Sequence, residues 1–165
     1  MPLVDEIKNE IKAAFAGVTL DGGISLNQTK VVDNYGRDCT NEQFAALPLT
    51  EVTDNWTKIP TSTLDEANCL AHFDRKGFKY YIPALMLRLL DNYDVDSMMT
   101  IGTLSILYPK VESWQYLYSL LSPEQTKTVA HYLQALPTLV ELYGGDKPVV
   151  ERAFRNYWSK FLSEK

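Results

Sequence analysis

Residues 69–83 read CLAHFDRKGFKYYIP, and their reading decides the fold class. Two β-prone runs rich in aromatics, Cys69 to Phe73 and Phe78 to Pro83, flank the polar tetrapeptide Asp74-Arg75-Lys76-Gly77. Asp suits the first position of a type I turn, and a glycine three positions later suits the left-handed conformation of a bulged loop. The stretch is therefore expected to be an antiparallel β-hairpin. Strand alternation puts Leu70, His72, Phe78, Tyr80 and Ile82 on one face, and Cys69, Ala71, Phe73 and Tyr81 on the other. Pro83 is tolerated in the first turn of a helix, and ALMLRLL beyond it is apolar on nearly every side, as a central helix would be.

Upstream, Leu3, Ile7, Ile11, Ala14 and Phe15 recur every three or four residues, which predicts an amphipathic helix ending near Ala16-Gly17. Ser25 stands three residues before Gln28, a capping box for a second helix that Gly36 closes. From Arg37 to Asn68 the periodicity weakens, and short helical turns are expected within a mostly ordered loop. Downstream, MMTIGTLSILY repeats the apolar pattern, and Trp114, Leu117, Tyr118 and Leu121 form a helical stripe. Ser122-Pro123-Glu124-Gln125 combines an N-cap serine, proline at the first helical position and a capping-box glutamine. Pro137 should end or kink that helix. A last aromatic helix turns Val150, Ala153, Phe154, Tyr157, Trp158 and Phe161 inward.

The fold expected is mainly α with a small antiparallel β-hairpin (α+β), a compact single domain over residues 1–165 packed around the hairpin. A chain of this length buries roughly 70% of its unfolded surface, so it needs no metal or disulfide to fold. A formal net charge of -5 argues against a nucleic-acid partner. No apolar run approaches the ~20 residues of a membrane span, and a cytoplasmic location without membrane contact is expected. Cys39 and Cys69 are too few for a disulfide framework and are read as free thiols. The late basic residues Lys147, Arg152, Arg155, Lys160 and Lys165 read as a solvated face.

Three pieces carry a resemblance: AFAGVTLDGGISL leading to VVDNYG, FDRKGFKYYIPALM, and LSPEQTKTVAHYL followed by NYW. They fall between Ala14 and Trp158 and are similar to those of a family of small uncharacterised bacterial proteins, a domain of unknown function. The resemblance implies a bacterial, cytoplasmic, helix-rich single domain, and it implies no reaction and no site residue.

Candidate chemistry is sparse. His72 and Asp74 stand two apart on the expected strand, and with Tyr80 they form the first group to test for acid–base catalysis. Asp33, Asp54 and Trp56 with Tyr81 are the residue types that line ligand clefts. Asp91, Asp94 and Asp96 offer oxygens to a cation, although their spacing lacks the EF-hand pattern. Against these stand ordinary structural roles: Asp74 starting its turn, His72 pairing across the hairpin, and the acidic loop capping a helix. The leading expectation is a non-enzymatic protein-interaction or regulatory module, of accessory or immunity type, with no cofactor. The alternatives are a small enzyme or ligand-binding protein with a site near the hairpin, and a homo-oligomer joined through the C-terminal aromatic helix.

Overall fold

A computed structural model describes residues 2–36, 39–110 and 112–162. Nine α-helices lie among the described residues: α1 (Pro2–Ala14), α2 (Leu26–Asp33), α3 (Asn41–Ala46), α4 (Thr61–Asp65), α5 (Arg75–Asp91), α6 (Met98–Ile106), α7 (Glu112–Gln115), α8 (Pro123–Leu139) and α9 (Asp146–Asn156). Short 3-10 turns join them, at Leu47–Thr50, Trp56–Lys58, Leu70–His72, Tyr116–Tyr118 and Trp158–Phe161. The weakly periodic region after Gly36 does hold short helical turns, α3 and α4 among them, with Arg37 and Asp38 outside the described residues.

No strand occurs among the described residues, so the expected hairpin, and with it the α+β class, is wrong. Leu70–His72 is a 3-10 turn, and FKYYIP lies inside α5. The error has a local cause, because a type I turn and the first turn of an α-helix begin alike. In both, an Asp side chain accepts a backbone N–H three residues on, and here Asp74 Oδ1 accepts from Gly77 N at 2.8 Å as the N-cap of α5. What separates them is Gly77, which is helical here and takes no positive φ. Its missing side chain serves packing instead, since a Cβ there would lie 2.5 Å from the Ile24 carbonyl oxygen. The aromatic run also fits a helical period: Phe78, Tyr81, Ile82, Leu85 and Leu89 are buried three or four residues apart. Burial outweighs the weak β preference of Phe, Tyr and Ile.

Pro83 lies in the ninth position of α5 rather than opening a helix, and Pro137 stands two residues before the end of α8. The capping boxes at Ser25 and Ser122 are both formed. α5 is the centre: α1, α4, α6 and α8 all pack on it, and α8 in turn carries α1 and α9. Val150, Ala153 and Trp158 are buried in one contiguous core, with Phe154, Tyr157 and Phe161 packed against it.

Side chains from distant segments close the helix ends. Trp56 Nε1 donates to Phe15 O (2.8 Å) and Gln125 Nε2 to Ala14 O (3.0 Å), at the end of α1. Tyr118 Oη donates to Ile106 O (2.6 Å) and Trp158 Nε1 to Leu107 O (2.8 Å), at the end of α6. Each supplies a carbonyl that a helix terminus leaves without an intrahelical donor.

Candidate functional site

The four N–H groups that open α2 are all occupied. Ser25 N donates to Gln28 Oε1 and Gln28 N to Ser25 Oγ, while Leu26 N donates to the Tyr81 hydroxyl (3.3 Å) and Asn27 N to Glu51 Oε1 (3.1 Å). A carboxylate at this position also faces the positive end of the helix dipole. Two residues far away in sequence, Glu51 and Tyr81, thus complete a start that Ser25 and Gln28 make locally. Burial and the nearby Glu51 charge hold the Tyr81 hydroxyl well above its ordinary pKa, so it stays protonated.

Beside this helix start lies a cleft of about 210 Å³ between α2, the Thr50–Val52 segment and α4. Leu26, Val52, Ile59 and Ala67 give it an apolar lining, and Lys30 and Glu66 bring opposite charges to it. Lys30 and Glu66 make no ion pair or side-chain hydrogen bond among the described residues. Glu51 Oε2 is buried and has no hydrogen-bond partner among them.

A second concavity runs along the first two turns of α5. Lys76 and Leu120 border both a hollow of about 420 Å³, reaching Val18 and Lys79, and one of about 590 Å³, reaching Ala71 and Tyr116. The two hollows lie side by side across Lys76 and Leu120 and together form an interrupted groove. Arg75 lies over the Tyr116 ring at 4.4 Å and donates to Ser119 Oγ at 3.2 Å. Lys76 Nζ reaches Asp21 O at 3.0 Å and Asp21 Oδ2 at 3.6 Å, and Lys79 has no partner among the described residues. Opposite Lys76, Gly23 lets the chain pass close by, since a Cβ there would lie 2.6 Å from Lys76 Cβ. Tyr116 is 61% exposed, a large ring left in the open at the groove.

The residues singled out from sequence scatter. Asp74 Oδ1 accepts both Gly77 N and Ile24 N (2.9 Å), so its carboxylate belongs to the fold. His72 Nε2 lies 2.9 Å from Asp33 Oδ1, joining the turn before α5 to α2 and uniting two candidates from different groups. Cys69 adjoins this pair, and burial, with Asp33 adding to it, raises its thiol pKa, the opposite of an activated nucleophile. Tyr80 donates to Val52 O at 2.8 Å, and burial pushes its hydroxyl up to about 12. Trp56 is buried, Asp54 is exposed, and only Tyr81 of the expected ligand group lines the cleft. In the acidic loop, Asp91 pairs with Lys8 (2.5 Å), Asp94 Oδ1 accepts Asp96 N (2.9 Å), and Asp96 is exposed. No three His, Cys, Asp or Glu residues are grouped to hold a metal among the described residues. Lys165 lies outside them.

Glu51, Lys30 and Glu66 escaped the sequence reading. The Ser25–Gln28 box locates the start of α2, but nothing local tells which distant carboxylate will stand before it.

Residues 3–162 match the model of a family described as a family of unknown function (DUF6714). The chain belongs to this family. Membership covers the region of all three resembling pieces and carries no activity with it. No curated protein and no solved structure matches the chain.

Proposed function

We propose that this protein is a non-catalytic module of the bacterial cytoplasm that binds an acidic segment of another protein in the groove along the start of α5. The observation that carries this reading is the gathering of Arg75, Lys76 and Lys79 beside exposed apolar surface in a chain whose net charge is -5. Of the two acids in the groove, Asp74 is consumed by backbone donors and Asp21 offsets only Lys76. Cationic side chains around an apolar, aromatic floor suit an acidic peptide with apolar anchors: charge steers the encounter and the anchors hold the complex. The free thiols Cys39 and Cys69 support a reducing compartment.

A small enzyme built on His72, Asp74 and Tyr80 is the weaker reading, because the three side chains are engaged by Asp33, backbone N–H groups and Val52 O respectively. The C-terminal aromatics favour self-association no better, since Tyr157, Trp158 and Phe161 contact one another and the core.

The test is fluorescence anisotropy with a labelled peptide in which Glu alternates with Leu and Trp. Binding is expected to weaken with salt, to fall by about tenfold or more in the Lys79→Glu, Leu120→Asp double variant, and to be unchanged in Lys58→Glu. Equal binding by the double variant, or no binding by the wild type, would reject the groove.

A further inference from the structure

We propose that the cleft between α2 and α4 is a binding site for a free α-amino acid with an apolar side chain. This site is separate from the α5 groove and does not depend on it.

The argument begins with an atom that the fold leaves unsatisfied. Glu51 Oε1 serves Asn27 N, but Oε2 is buried and has no hydrogen-bond partner among the described residues. Buried acceptors in native proteins are nearly always paired, because an unmet one carries the full desolvation penalty of the group. The missing partner must be a hydrogen-bond donor, and beside a carboxylate the favoured donor is a cation. A ligand ammonium meets both conditions, provided that the Glu51 side chain turns Oε2 toward the cleft that this residue lines.

The rest of the cleft restricts the ligand further. Glu66 adds a second unpaired carboxylate, which also favours an ammonium, and Lys30 adds an unpaired cation, which favours a carboxylate. A ligand of one charge would leave one of these groups unmatched, whereas a zwitterion satisfies both signs. Leu26, Val52, Ile59 and Ala67 offer apolar surface and no further polar demand, which suits an aliphatic side chain. The volume of about 210 Å³ is below the ~300 Å³ at which sites for drug-sized molecules begin, so the ligand is a small metabolite. Ligand binding between α2 and α4 would also hold Glu51 at the start of α2, linking occupancy to the order of that helix.

The experiment is an amide chemical-shift titration of the whole chain with L-leucine, L-valine and L-methionine. Two half-ligands are titrated in parallel: 3-methylbutylamine, which lacks the carboxylate, and 4-methylpentanoate, which lacks the ammonium. At least one amino acid is expected to give saturable shifts at Asn27, Lys30, Val52, Glu66 and Ala67, with each half-ligand weaker by about tenfold or more. Lys30→Met should weaken the amino acid by about tenfold and leave the amine unchanged, whereas Glu66→Gln should weaken the amino acid and the amine and leave the acid unchanged. Both positions are exposed, and a circular dichroism melt confirms folding independently of binding. No saturable shift with any of the three amino acids overturns the proposal, and so does a half-ligand that binds as tightly as the whole.

Discussion

α5 and α8 are both 17-residue helices that begin with a side chain accepting the N–H three residues on, yet their starts are built differently. At α8 the capping bonds lie within four residues: Ser122 Oγ takes Gln125 N, Gln125 Oε1 takes Ser122 N, and Pro123 fixes the first φ, while the one distant link, Gln125 Nε2 to Ala14 O, closes α1 instead of opening α8. At α5 the cap is shared with a distant loop. Asp74 Oδ1 accepts Ile24 N across 50 residues as well as Gly77 N, and Gly77 has no side chain because the Ile24 carbonyl occupies that space. A start made locally can be read from its own residues. One made with a partner elsewhere in the chain cannot, because half its hydrogen bonding and the reason for its glycine lie out of view.

This difference predicts a graded set of losses. Gly77→Val should be the most damaging change, destabilising by about 3 kcal/mol or more, because its Cβ would lie 2.5 Å from the Ile24 backbone oxygen and force that backbone to shift. A thermal melt of the variant near wild-type stability would show that the loop at Ile24 yields, and that α5 depends on it less than the geometry implies. Asp74→Ala should cost about 2–3 kcal/mol in urea unfolding, since two part-buried N–H groups lose a charged acceptor. Asp74→Asn, which keeps one acceptor, should recover part of that loss.

Ser122→Ala should cost only about 1 kcal/mol, the ordinary value of an N-cap, because the Ser122 hydroxyl accepts only from Gln125 N, and the Gln125 amide keeps its own bond to Ala14 O. A loss equal to that of Asp74→Ala would erase the distinction between local and shared starts.

The smallest effect is expected at the exposed link between α4 and α5, where Arg88 holds Asp65 through two bonds of 2.7 and 2.8 Å. Hydrogen bonding to Arg88, against some desolvation, holds the Asp65 carboxyl below its ordinary value of 3.8. Its folded pKa is depressed, so its contribution is complete above that value and disappears as pH falls through the lower, folded one. Arg88→Met should therefore cost less than about 1 kcal/mol at about pH 6 and still less at about pH 3, as measured by urea unfolding at both.

The same contrast marks what the sequence makes legible. α1, the Ser25 and Ser122 capping boxes, the short turns after Gly36 and the apolar α6 all follow from residues within a few positions of one another. The segment 69–83 defeats that reading, because Asp-x-x-Gly has two local meanings, and what chooses between them, Ile24 against Gly77 and the burial of the aromatic run, depends on the rest of the chain. The cleft fails for the same reason. Lys30, Glu51 and Glu66 come from three separate segments, and the unmet oxygen of Glu51 exists only once α2 has been placed against it. His72 and Asp33 each stand out in the sequence as candidates, but their pairing needs the contact between α2 and the turn before α5.

The donors that close α1 have a consequence for the growing chain. Ile7, Ile11 and Phe15 are fully buried in the finished protein, yet the Gln125 amide that caps Ala14 O is 111 residues further on. At ~5–20 residues per second, that partner leaves the ribosome roughly 6–22 s after α1 does. For that interval the apolar face of α1 is without α8, the helix that covers most of it, and has only the earlier α5 to pack against.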